Sequence, residues 1–153
     1  MLNPIIETDE PADYKGITAK TYNLKIAKEL QKQLLSDGIK VVLTRENDET
    51  YPTKDDIKKL TTEHKIDLLV DFDVNNTSQK DVFGAKVHYS TAESAIVARS
   101  IERNLSEHYI SKVSSSERQG NFDQLNDKIP QVKVVSANIG DRVDVDILNN
   151  NLA

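Results

Sequence analysis

Segments with helical periodicity alternate along this chain with short apolar runs, and this alternation constrains the fold more than any other feature of the sequence. The first helical segment, 18–38, repeats apolar residues at helical spacing and ends at Gly38, a natural C-cap. The run 39–45 that follows has the length and β-branched content of a strand. Further strands are predicted at 66–74, 85–90 and 131–137, and further helices at 93–109 and from Thr53.

The predicted order of elements is therefore helix, strand, helix, strand, strand, helix, strand, which favours an α/β fold. We expect three layers, with a mostly parallel or mixed, twisted sheet of about five strands and helices on both of its faces. A length of 153 residues fits one domain, 1–153, with a single core.

Composition excludes several classes of function. The net charge of −5 argues against nucleic acid as a partner, because phosphate binding needs a basic surface. The chain has no cysteine, so neither a disulfide framework nor a thiolate metal site is expected. We expect no transmembrane segment, and the first residues lack the charged and apolar regions of a signal peptide.

The stretch LLVDFDVNN, 68–76, reads as a buried strand that ends in two carboxylates. In α/β sheets, ligands bind beyond the carboxyl ends of strands. The candidate lining of a binding groove at these ends is Arg45, Asp71, Asp73 and Asn75. The two aspartates share one strand face, which suits acid–base work or a cation site, and the alternative is a solvated strand end. Arg45 either anchors a ligand carboxylate or forms a structural ion pair.

Three motifs together resemble one family. They are NLKIAKELQKQLLSDGIKVVLTREND at 23–48, KIDLLVDFDVNN at 65–76 and FGAKVHYSTAESAIVARSIERNL at 83–105. Their order and spacing resemble the zinc-dependent N-acetylmuramoyl-L-alanine amidases, which cleave bacterial peptidoglycan. The resemblance spans nearly the whole chain and implies an amidase-like α/β fold and a place in the cell envelope of a bacterium, outside the cytoplasm.

The resemblance also implies a zinc ion held by two histidines and one glutamate, with a second glutamate as general base and acid. In this sequence Ile6, within the motif NPIIET at 3–8, stands where the first histidine is expected. Ala19 takes the place of the ligand glutamate, and Asp73 that of the second histidine. Val135, or Ser136 if the register slips by one, takes the place of the catalytic glutamate. We therefore expect a degenerate site with no zinc, and no cofactor.

Two further expectations concern the ends of the fold. The family's first strand would precede Asn3, where only two residues stand, and its final helix would follow the last predicted strand, where the chain becomes polar. We expect both elements to be missing, which would leave a sheet edge exposed for self-association.

These observations favour a catalytically inactive, amidase-like domain that binds a peptidoglycan fragment or an envelope protein, or serves as a scaffold. The first alternative is an active peptidoglycan amidase with a misaligned or rebuilt metal site around Asp73. The second is a structural module that assembles through its exposed edge. Whether the chain is an enzyme stays open, and the missing ligands argue that it is not.

Overall fold

The computed structural model of the chain describes residues 1–7, 9–109 and 111–152. These residues form five strands and four helices in the order β1 Leu2–Pro4, α1 Ala19–Ser36, α2 Lys54–Glu63, β2 Leu69–Asn75, β3 Lys86–Tyr89, α3 Ala92–His108, β4 Glu117–Arg118, β5 Gln131–Asn138 and α4 Arg142–Leu152. No helix of the described residues is long and apolar enough to cross a membrane.

The strands form one mixed sheet in the order β1-β2-β5-β3-β4. Strands β1, β2 and β5 run parallel to one another, β3 is antiparallel to β5, and β4 is parallel to β3. The predicted α/β fold with a mixed sheet of about five strands is confirmed.

Alternation along β2 divides the sheet into two unlike faces. Val70, Phe72 and Val74 point to one face, where they belong to apolar clusters with residues of α1, α3 and α4. Leu69 points to the other face and packs against Ile57 of α2. Helices thus cover both faces, as predicted, but one short helix covers the second face only in part. The polar half of β2 is left on that second face.

The expectation that the first strand and the last helix are missing is wrong. Strand β1 is short, but it pairs in register with β2 from Leu2 to Pro4. Helix α4 begins after Asp141, whose carboxylate accepts a hydrogen bond from the backbone N–H of Asp144 (3.0 Å), and it buries Val145 and Leu148. Because the segment is mostly polar, its sequence pattern did not predict this helix.

The strand predicted at 39–45 is reduced to a single bridge between Leu43 and Leu2. The backbone N–H of Leu2 donates to the carbonyl of Val42 (2.9 Å), and that of Thr44 donates to the carbonyl of Leu2 (3.2 Å). Since β1 has only three residues, it offers this segment too few partners for a longer ladder. The segment nevertheless lies along the β1 edge, which is therefore not bare. Self-association through an exposed edge stays a prediction.

Candidate functional site

A cleft of about 880 Å³ lies on the face of the sheet that α2 covers only in part. Its floor is formed by alternate residues of β2 and β5, and its walls come from the loop after β1, the segment before α2 and the loop between β4 and β5. The carboxyl ends of β1, β2 and β5 meet at this place because the three strands are parallel. Topology thus places a cleft where ligands of α/β sheets bind.

Asp71 lies buried on the floor of this cleft with both carboxylate oxygens occupied. Asn3 Nδ2 donates to Oδ1 (2.7 Å), and Gln131 Nε2 donates to Oδ2 (2.6 Å). Burial raises the pKa of Asp71 from 3.8 to about 6, although the two donors act in the opposite direction. A carboxyl group of this kind changes its charge just below neutral pH.

Asp73 follows on the same face, is 8% exposed, and accepts a hydrogen bond from the N–H of Val74 at Oδ1 (2.9 Å). Burial raises its pKa. Glu7, in the loop after β1, has a pKa raised by burial and then by the negative charge of Asp73. The two carboxyl groups therefore lie close enough to influence each other, and like charges so placed favour retention of a proton.

Lys133 and Glu10 are charged residues of the cleft that were not among the groove residues predicted from the sequence. Lys133 pairs in register with Asp71, and its positive charge lowers the pKa of both aspartates, against the effect of burial. Glu10 lines the cleft from the loop after β1. Lys133 could have been found because β5 reads QVKVV, so that Gln131 and Lys133 interrupt an apolar run at alternate positions. Glu10 carries no such signal.

The structure places only two of the four predicted groove residues, Asp71 and Asp73, on this cleft. Arg45 is 2% exposed and does not line it. Its side chain donates to the carbonyls of Pro4 (2.9 Å) and Lys20 (2.7 Å) and to Asp48 Oδ1 (2.9 Å). Of the two readings of Arg45, the geometry therefore fits the structural ion pair. Asn75 is exposed at the end of β2, outside the cleft lining.

The positions expected to hold a metal carry side chains that do not fit one. Ile6 lines the cleft, and Ala19 is fully buried at the start of α1. Of the two residues considered for the catalytic glutamate, Val135 pairs in register with Asp73 on the cleft face, and Ser136 points to the other face. The motif at 3–8 ends at a threonine outside the described residues.

Aliphatic side chains have no atom that can ligate zinc. Asp73 is the only acid at the three expected ligand positions, and it does not by itself make a site of three protein ligands. Within the ranges that the structure describes, no group of three or more His, Cys, Asp or Glu residues is arranged to hold a metal ion. The histidines lie apart, with His64 at the end of α2, His88 on β3 and His108 at the end of α3. The donor set of this cleft thus disagrees with zinc chemistry.

Comparisons with known proteins point in one direction. The family model described as N-acetylmuramoyl-L-alanine amidase matches residues 7–152. No curated protein sequence matches significantly. Among solved structures, the N-acetylmuramoyl-L-alanine amidase from Clostridium difficile 630 is 21% identical, with a TM-score of 0.84 over 99% of this chain and 86% of that one.

Two further structures are similar in fold. The catalytic domain of CwlV, an amidase from Bacillus (Paenibacillus) polymyxa var. colistinus, is 18% identical, with a TM-score of 0.82 over 99% of this chain and 89% of that one. The CwlD amidase from Clostridioides difficile, solved in complex with the GerS lipoprotein, is 17% identical, with a TM-score of 0.73 over 97% of this chain and 86% of that one. At these identities the structural likeness speaks for the fold alone.

Proposed function

This chain belongs to the N-acetylmuramoyl-L-alanine amidase family, and we propose that it is a catalytically inactive member that binds a peptidoglycan fragment in its cleft. The proposal rests on one observation: the cleft is present, but the side chains that would hold zinc are not. The cleft of about 880 Å³ stands at the carboxyl ends of the parallel strands, whereas Ile6, Ala19 and Val135 stand at positions where the family's chemistry needs ligands and a base.

Loss of the zinc ligands removes the chemistry that zinc would supply, namely activation of a water molecule and polarisation of the scissile carbonyl. An isoleucine, an alanine or a valine neither ligates a metal nor moves a proton. Asp73 alone, at the position of the second histidine, restores neither the ligand count nor the general base.

Binding of a ligand requires neither a metal ion nor a general base, and the side chains that line the cleft suit binding. Tyr51 at its rim is 60% exposed and offers an aromatic face, and Phe122 lies in the lining contributed by the β4–β5 loop. Amide groups of Gln119 and Asn121 lie in the same loop. A mixture of aromatic surface, amides and charges suits a ligand with both apolar and polar groups.

The second candidate is a hydrolase with a rebuilt site. One observation favours it, because a carboxyl group with a pKa of about 6, such as Asp71, is suited to acid–base work near neutral pH. The geometry opposes it, since side-chain amides of Asn3 and Gln131 already occupy both oxygens. The third candidate is a module that binds a protein partner in the bacterial envelope, in line with the GerS complex of CwlD.

The test compares binding with cleavage on purified peptidoglycan sacculi. The wild-type protein is expected to co-sediment with sacculi and to release no new amino termini or reducing ends, with or without added zinc. A cleft-filling variant, Asn121→Trp, is expected to lose co-sedimentation, whereas Asn104→Trp on the exposed face of α3 retains it. Release of peptide from sacculi would establish the hydrolase instead, and absence of binding would leave the protein partner.

A further inference from the structure

The cleft contains a lysine whose charge is not paired. Lys133 rises from the middle strand of the sheet, with Asp71 beside it on β2 and His88 beside it on β3. Lys54, which also lines the cleft, forms an ion pair with Asp123 (2.7 Å), but no ion pair of Lys133 occurs among the residues that the structure describes. The ammonium group of Lys133 is therefore available to a ligand.

The cleft also contains a carboxylate without a partner. Both oxygens of Glu10 are buried, and neither accepts a hydrogen bond from any described residue. Its backbone has a φ of +42°, in the left-handed region that non-glycine residues rarely adopt. A buried carboxylate is unfavourable unless a donor or a cation meets it. The charge of Lys20 acts on Glu10 from a distance, but no described side chain forms a hydrogen bond or an ion pair with it. A donor from a ligand would satisfy it.

The two charges together restrict the class of ligand. A simple anion on Lys133 would be repelled by Glu7, Asp71 and Asp73, whose carboxyl groups share this part of the cleft, and would have no second attraction to offset that repulsion. A simple cation near Glu10 would leave Lys133 unpaired. A molecule with charges of both signs can meet both groups, and charge-assisted hydrogen bonds of this kind are strong.

We propose that the cleft binds a zwitterionic ligand, an amino acid or the end of a peptide, with its ammonium group on Glu10 and its carboxylate on Lys133. This inference rests on the proposed function, because it gives the chemical class of the fragment that the cleft recognises. Glu10 and Lys133 are thereby assigned as specificity-determining residues of this site.

The stability of the free protein provides a first test. If Glu10 is held without a partner for the sake of a ligand, Glu10→Gln removes a buried charge and is expected to raise the melting temperature of the free protein. A structural role for the Glu10 carboxylate predicts the reverse. Glu49→Gln, at an exposed carboxylate outside the cleft, is the matched control and leaves the melting temperature unchanged.

Binding is measured by NMR titration of the full chain with three small probes: L-lysine, cadaverine, which lacks the carboxylate, and hexanoate, which lacks both ammonium groups. L-lysine is expected to bind most tightly. Glu10→Gln and Lys133→Met are each expected to weaken L-lysine binding about tenfold, the loss of one charge-assisted contact. The controls Glu49→Gln and Lys40→Met, both at exposed positions, leave it unchanged.

Equal affinity for L-lysine and cadaverine, or unchanged binding in both cleft variants, would overturn the inference. Co-sedimentation with sacculi separates this failure from failure of the proposed function. If the wild-type protein binds sacculi but the two variants bind equally well, the peptidoglycan proposal stands and the zwitterion proposal is overturned. If L-lysine binds as described and sacculi do not, the zwitterion site stands and the peptidoglycan proposal is overturned.

Discussion

Titration of Asp71 is expected to make the folded protein less stable as the pH rises from about 4 to about 6. Burial on the cleft floor raises the pKa of this carboxyl group from 3.8 to about 6. Between these two values the folded state holds a proton that the unfolded state has lost, so the unfolding free energy falls as the pH increases. A shift of about two pKa units corresponds to about 3 kcal/mol. Stability from this group is fully present below pH 4 and is lost above pH 6.

The wild-type protein and Asp71→Asn are unfolded in urea at a series of pH values from 4 to 7.5, with circular dichroism as the signal. Other carboxyl groups titrate in this range, so the informative quantity is the difference between the two unfolding free energies at each pH. The substitution also disturbs the contacts with Asn3 and Gln131, but that effect does not depend on pH. The unfolding free energy of the wild type minus that of the variant is expected to fall by about 3 kcal/mol between about pH 4 and about pH 6. The exposed control Asp127→Asn is expected to show no such fall. A difference for Asp71→Asn that stays flat or rises with pH would refute a buried Asp71.

Three further substitutions test the fold that holds the cleft. Arg45→Met is expected to lower the unfolding free energy by about 3–5 kcal/mol, because it leaves Asp48 and buried carbonyls without their donor. A loss below about 1 kcal/mol in urea unfolding would contradict a structural role of Arg45. Thr53→Ala removes the capping box of α2 and is expected to lower the unfolding free energy by about 1 kcal/mol, whereas an unchanged urea midpoint would exclude a role for the cap. Gly84→Ala is expected to lower the melting temperature strongly, since φ is +77° and the new Cβ would overlap the carbonyl of Lys112, and a normal melting curve would contradict this close approach.

Periodicity predicted the elements that bury a regular apolar face. The helix predicted from Thr53 and the strands predicted at 66–74 and 131–137 follow from local pattern, and the structure confirms them as α2, β2 and β5. Strand β1 and helix α4 were missed for a physical reason. Leu2 and its neighbours are stabilised by pairing with β2, and α4 by packing of Val145 and Leu148 against the core, within a polar segment. Tertiary contacts rather than local propensity decide such elements.

The site was predictable only where one strand carries it. Asp71 and Asp73 were found because carboxylates at the end of an apolar strand contradict its pattern. Arg45 was placed in the groove because it also follows an apolar run, but its direction depends on carbonyls far along the chain, which no local pattern encodes. Lys133 and Glu10 belong to the cleft through sheet order, which brings β5 beside β2 and the loop after β1 above both.

Metal content tests most directly whether the cleft has lost its metal chemistry. The purified chain would be dialysed against excess zinc, desalted and measured by elemental mass spectrometry, with an active amidase of the family as positive control. We expect much less than one zinc ion per chain, and the same value for Asp73→Ala, because Ile6 and Ala19 provide no ligand. One tightly held zinc per chain, lost in Asp73→Ala, would contradict the account and restore a metal-dependent amidase.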